Sequence, residues 1–154
     1  MVSHLLRAAA SAYNVAGHIT RAMWFVNAVM STVASHKILL VEDHYDTARA
    51  MARLLNLSGY NVRTASTYRS AIEICDEEQF DLVISDVGLP DGSGYDLMRE
   101  MLDRACTTKG IAVSGYGTEK DVEDSLRAGF TLHLVKPVEF NVLCDAIRRV
   151  IPQN

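Results

Sequence analysis

The chain has 154 residues, 49% of them apolar, and a formal net charge of -4 at pH 7. That length supports one ordinary core rather than two independent domains, and the acidic balance excludes the basic footprint that direct nucleic-acid binding requires. Cys75, Cys106 and Cys144 stand far apart without Cys-x-x-Cys spacing, the pattern of thiols in a reducing compartment rather than a disulfide framework.

No acidic residue precedes Glu42, and Arg7, Arg21 and Lys37 are scattered among alanines. The apolar run from Ala22 to Ala34 is broken by Asn27, Ser31 and Thr32 and falls short of the roughly 18 to 20 residues of a membrane span. A weakly basic start and small residues near Ala34 have the outline of a signal peptide, but the chemistry downstream is cytosolic, so a cytoplasmic location is expected. Leu5, Ala9, Ala12, Ala16, Ile19, Met23, Val26, Met30 and Val33 follow the alternating spacing of a coiled-coil seam. Charged flanking positions are missing, and so apolar a segment can produce the pattern by chance. A disordered leader, or a start upstream of the compact domain, is an equal alternative. Residues 1–35 are therefore expected to be an extension, helical or disordered, before a folded domain over 36–154.

From Lys37 onward, short β-rich runs alternate with helical periodicity. Strands are predicted over 38–41, 61–65, 82–85, 110–114 and 132–135, and helices over 46–57, 68–77, 95–103, 119–128 and 139–150. Ala48, Met51, Ala52 and Leu55 form the buried stripe of the first helix, and Gly59 is its stop. Thr67 can cap the second helix, whose inner face, Ala71, Ile72 and Cys75, is expected against Ile38, Leu40 or their neighbours. Thr118 and Asp121 form a capping pair for the fourth helix, and Gly129 ends it. Strict alternation implies right-handed crossovers and a doubly wound parallel α/β sheet, with ligands beyond the carboxyl ends of the strands where strand order reverses.

At those ends stand Glu42 and Asp43 after the first strand, Asp86 after the third, Ser114 closing the fourth and Lys136 after the fifth. Three carboxylates so close would repel by several kcal/mol per pair, so a cation is expected among them. Mg²⁺ suits hard oxygen ligands and phosphate, and Mn²⁺ can substitute. Asp86 is the best nucleophile for aspartyl-phosphate chemistry, with Lys136 drawing charge toward the transferred group.

The stretches LLVEDH (39–44), DLVISDVGLPDGSGYDL (81–97), IAVSGYG (111–117) and AGFTLHLVKPV (128–138) resemble the receiver domain of two-component response regulators, and in detail the receivers of hybrid histidine kinases. The resemblance covers residues 37–151. It implies a flavodoxin-like (βα)5 fold with strand order 2-1-3-4-5 and the following roles. Glu42 and Asp43 are the acidic pair, Asp86 accepts phosphate, Ser114 senses it, Lys136 contacts it, and Gly88 lends a backbone carbonyl to the metal. It also implies a Lys136-Pro137 bond that is often cis. Two positions depart from the common pattern: Glu42 replaces an aspartate, and His133 replaces a switching tyrosine or phenylalanine. A rotating histidine there would add pH dependence.

Asp91 and Gly92 read as a turn after Pro90, and Gly94 as a helix-start or loop glycine, without chemistry. His4, His18, His36 and His44 lack metal spacing and read as structural or exposed. No glycine-rich nucleotide loop is present. The expected function is a phosphoacceptor module in two-component or phosphorelay signalling, not a dedicated enzyme. A histidine kinase or histidine phosphotransfer protein would supply the phosphoryl group, and a downstream effector protein would read a docking surface over about 119–150; homodimer formation stays open. With no output domain after Ile151, the chain would act as a free regulator, a relay intermediate or a piece of a hybrid kinase. The alternatives are a phosphate-independent binding module of the same fold, and a phosphatase. The latter would want a second aspartate where Gly88 stands.

Overall fold

The computed structural model describes residues 35–104 and 108–152. In chain order these form β1 (Lys37–Val41), α1 (Tyr45–Leu57), β2 (Asn61–Ala65), α2 (Tyr68–Glu77), β3 (Leu82–Asp86), the short β4 (Gly88–Leu89) and β5 (Gly92–Ser93), α3 (Gly94–Asp103), β6 (Lys109–Ser114), α4 (Glu119–Arg127), β7 (Leu132–Val135) and α5 (Phe140–Val150). The candidate seam in residues 1–35 and Cys106 lie outside the described residues.

The main sheet runs β2-β1-β3-β6-β7, every pair parallel. This is the predicted order 2-1-3-4-5 once the antiparallel β4–β5 hairpin is set aside. Two-residue strands carry no readable periodicity, so the sequence showed only the turn within the hairpin.

Strands buried on both faces read as continuous apolar runs because alternate side chains face opposite helical layers. Ile38 and Leu40 of β1, with Leu82, Ile84 and Ile111, pack against Leu55 of α1 and Leu143 and Ile147 of α5. Leu39, Val41 and Val83 face the other way, against Ala71 of α2 and Leu97 and Met101 of α3, while Met98, Ala112, Ala128 and Phe130 extend that layer toward α4. The inner face of α2 therefore meets Leu39 and Val41, the neighbours of Ile38 and Leu40. The pleat sends the latter two to α1 and α5 instead.

The boundaries follow from capping. Thr67 accepts from the Ser70 amide while the Ser70 hydroxyl accepts from Thr67, and Thr118 and Asp121 repeat the scheme at α4. Gly59 and Gly129 stop α1 and α4 at φ of 93° and 103°, left-handed values that favour glycine. Ile84, 1% exposed at the sheet centre, sets a scale for the core. Ile84→Ala is expected to lower unfolding free energy by about 2–5 kcal/mol in a urea titration, against under about 0.5 kcal/mol for a surface change such as Arg127→Ala.

Candidate functional site

Register builds the site. Val41 of β1 is paired with Ser85 of β3, so the next residues along, Glu42 and Asp86, emerge side by side. Strand order reverses between these two strands, the place where an open α/β sheet leaves a crevice. Ser114 is paired with Val135 at the ends of β6 and β7, and Lys136 follows.

The Lys136 ammonium donates to Glu42 Oε2 at 2.9 Å and to Asp86 Oδ2 at 2.6 Å, uniting residues far apart in sequence. Both carboxylates are largely buried, with side-chain exposures of 8% and 12%, against 32% for the lysine. Burial alone would lower the lysine's pKa, but the hydrogen bonds and charges of Asp86 and Glu42 outweigh it and hold the ammonium above the ordinary lysine value. The second oxygen of Asp86 accepts from the Gly88 amide at 3.0 Å. Gly88 itself is exposed.

Asp43 joins the group through a residue the sequence reading left aside. The Nδ1 of His44 lies 3.0 Å from both Glu42 Oε1 and Asp43 Oδ1. His44 is exposed, as expected, but its ring also bridges the acidic pair. The hydrogen bond to Glu42, then the charge of Asp43, raise its pKa above the usual histidine value. Adjacency to two acids was the signal available in the sequence.

Ser114, 5% exposed, is turned to its own loop, its Oγ accepting from the Tyr116 amide at 3.1 Å. His133 lies 3.0 Å from the Tyr116 carbonyl through Nε2, while its Nδ1 is buried without a partner. The two switch candidates thus hold opposite ends of one residue's backbone, which sequence could not reveal because those groups are common to nearly all residues. The Lys136-Pro137 bond is cis. A groove of about 640 Å³ lies between α1 and β2, lined by Tyr45, Arg49 and Val62 among others; Glu42, Asp86 and Lys136 are not among its walls.

The oxygens of Glu42 and Asp43 and the nitrogen of His44 lie within 4.8 Å of one another, and Asp86 shares Lys136 with Glu42. Hard carboxylate oxygens clustered in this way fit a small divalent cation. No helix among the described residues is long and apolar enough to cross a membrane.

A doubly wound sheet with an acidic, lysine-bridged rim at its reversal point defines a class of α/β protein, and comparison with known proteins makes it specific. Residues 38–148 match the model of the response regulator receiver domain. Sporulation initiation phosphotransferase F of Bacillus subtilis (strain 168) is 26% identical over 77% of this chain and 95% of its own length. The sensor histidine kinase RcsC of Escherichia coli (strain K12) is 30% identical over 69% of this chain but 11% of its own, so that likeness is confined to one portion of the kinase. The crystal structure of a CheY-like receiver domain from Methanospirillum hungatei JF-1 superposes with a TM-score of 0.72 at 28% identity, covering 78% of this chain and 97% of that one. The chain belongs to the response regulator receiver domain family. It is a receiver module of two-component signal transduction.

Proposed function

We propose that Asp86 accepts the phosphoryl group and that Glu42, Asp43, Asp86 and the Gly88 carbonyl hold Mg²⁺ beside it. The observation that carries this reading is the Lys136 ammonium bonded to both Glu42 and Asp86, a positive charge beside the proposed acceptor that supports the arrival of an anion there. When bound, Mg²⁺ supplies charge neutralisation to the phosphoryl oxygens. A carboxylate oxygen of Asp86 attacks phosphorus in line, the bond to the donor's nitrogen or oxygen breaks, and the leaving group keeps the electron pair. Lys136 then pairs with a phosphoryl oxygen, and Ser114, turning from the Tyr116 amide, donates its hydroxyl to another.

The donor would be a histidine kinase or histidine phosphotransfer protein in the cytoplasm, where cysteines outside any disulfide, such as Cys75 and Cys144, are stable. The receiver would span residues 36–154 and act as a signalling module rather than a dedicated enzyme. Leu126, Val135 and Val142, each about half exposed at 50%, 48% and 49%, support a docking face for an effector or second copy over residues 119–150. Release of Tyr116 by Ser114 would reshape that face, with His133 holding the other end of the tie.

Incubation with Mg²⁺ and acetyl phosphate, followed by intact-mass measurement, is expected to show one phosphoryl adduct on the wild type and none on Asp86→Asn. Absence of both the adduct and Mg²⁺ binding would instead favour a phosphate-independent binding module.

A further inference from the structure

Asp91, at the tip of the β4–β5 hairpin and exposed, spends its side chain on a helix far away in sequence. Its Oδ1 accepts from the Tyr68 amide at 2.7 Å and its Oδ2 from the Arg69 amide at 3.0 Å. These are the first two amides of α2, which has no earlier turn to accept them. The third, of Ser70, is taken by the Thr67 side chain, and the fourth, of Ala71, by the Thr67 carbonyl. Thr67 and Asp91 thus divide the helix end between them, one from the residue that precedes the helix and one from the hairpin. Gly92 lies flat against Tyr68, where a Cβ would come within 3.2 Å of that side chain.

The base of the same hairpin is at the reactive carboxylate. Gly88 donates to Asp86 Oδ1, and the Gly94 amide closes the hairpin on the Val87 carbonyl at 2.9 Å. With tip and base both anchored, the path of residues 87–93, and with it the Gly88 carbonyl, is fixed relative to Asp86.

Resting on the phosphoacceptor reading, we infer that Asp91 is a positioning residue: by clamping the hairpin to α2 it holds the Gly88 carbonyl and amide in place for Mg²⁺ and Asp86. Loss of the clamp frees the hairpin tip, and the ligand geometry loosens without any ligand being removed.

The test is titration calorimetry of the full chain with Mg²⁺ alone, beside thermal melting. Asp91→Ala is expected to raise the Mg²⁺ Kd about 3- to 10-fold, below the 10- to 100-fold typical of a group bonded directly to a metal ligand. Asp91→Asn keeps an oxygen acceptor and should restore most of that affinity. Thr67→Ala removes the other cap of α2 and should lower the melting temperature comparably while leaving Kd unchanged, which separates positioning from helix stability. A wild-type Kd in Asp91→Ala, or an equal rise in Thr67→Ala, overturns the inference alone. A wild-type chain that neither binds Mg²⁺ nor takes up a phosphoryl group overturns the phosphoacceptor reading and the inference with it.

Discussion

Lys136→Met is expected to lower unfolding free energy by about 2–3 kcal/mol at neutral pH in the presence of a chelator, because it strands two largely buried carboxylates beside each other. Removing one partner of a fully buried pair typically costs about 3–5 kcal/mol; the lysine keeps 32% of its side chain exposed, and solvent screening reduces that figure. Added Mg²⁺ should recover more stability in the variant than in the wild type, since a bound cation would offset the carboxylate repulsion that the lost ammonium had balanced. Phosphoryl uptake should still fall about 100-fold, the order expected when one charged donor to the transferred group is lost. The pH dependence has a definite sign. The folded-state pKa of Lys136 is raised, so its contribution is complete below the ordinary lysine value of about 10.4. It is lost as pH rises through the folded value. Urea titrations of the two proteins should therefore converge in strong alkali; a constant gap across that range, or no gap at neutral pH, would contradict the bridging role.

Gly94→Ala is expected to cost about 3 kcal/mol and to reduce adduct formation at least about 10-fold. A Cβ on Gly94 would lie 2.3 Å from the Asp86 carbonyl oxygen and 3.1 Å from both the Asp86 carbonyl carbon and Ser85 Oγ. The nearest obstacle is backbone, which cannot swing aside as a flexible side chain can, so the insertion belongs at the upper end of overpacking costs. Relief must come from moving α3 or the end of β3, and the latter carries the phosphoacceptor candidate. Gly88→Ala is the contrast: its Cβ would meet nothing within 4 Å, and its stability should stay within about 0.5 kcal/mol of wild type. Chemical denaturation and intact mass on the two variants together separate crowding behind Asp86 from a general need for glycine in this loop.

Much of this was legible along the chain. The continuous apolar runs of β1 and β3, the Thr67 and Thr118 caps and the stops at Gly59 and Gly129 are local signals, and they located the elements to within a residue or so. Strict alternation, with the resemblance to receivers, gave the topology, and Glu42, Asp86, Ser114 and Lys136 all fell at strand ends. Less legible were groups whose roles depend on what lies opposite. Asp91 looked like a turn residue because its partners, the Tyr68 and Arg69 amides, are backbone groups 23 and 22 positions away. His44 lacked metal-ligand spacing, yet its ring bridges the acidic pair.

The sequence by itself determined the elements, their alternation and the strand-end rim on which Glu42, Asp86 and Lys136 stand, because periodicity, capping and strand ends are written in nearest neighbours. Tertiary structure decided which of them touch: that Lys136 bonds Glu42 and Asp86 together, that Ser114 and His133 share the backbone of Tyr116, and that Asp91 reaches across to α2. Hydrogen bonds depend on tenths of an ångström and on direction, and those are fixed only when strands from distant parts of the chain pack side by side.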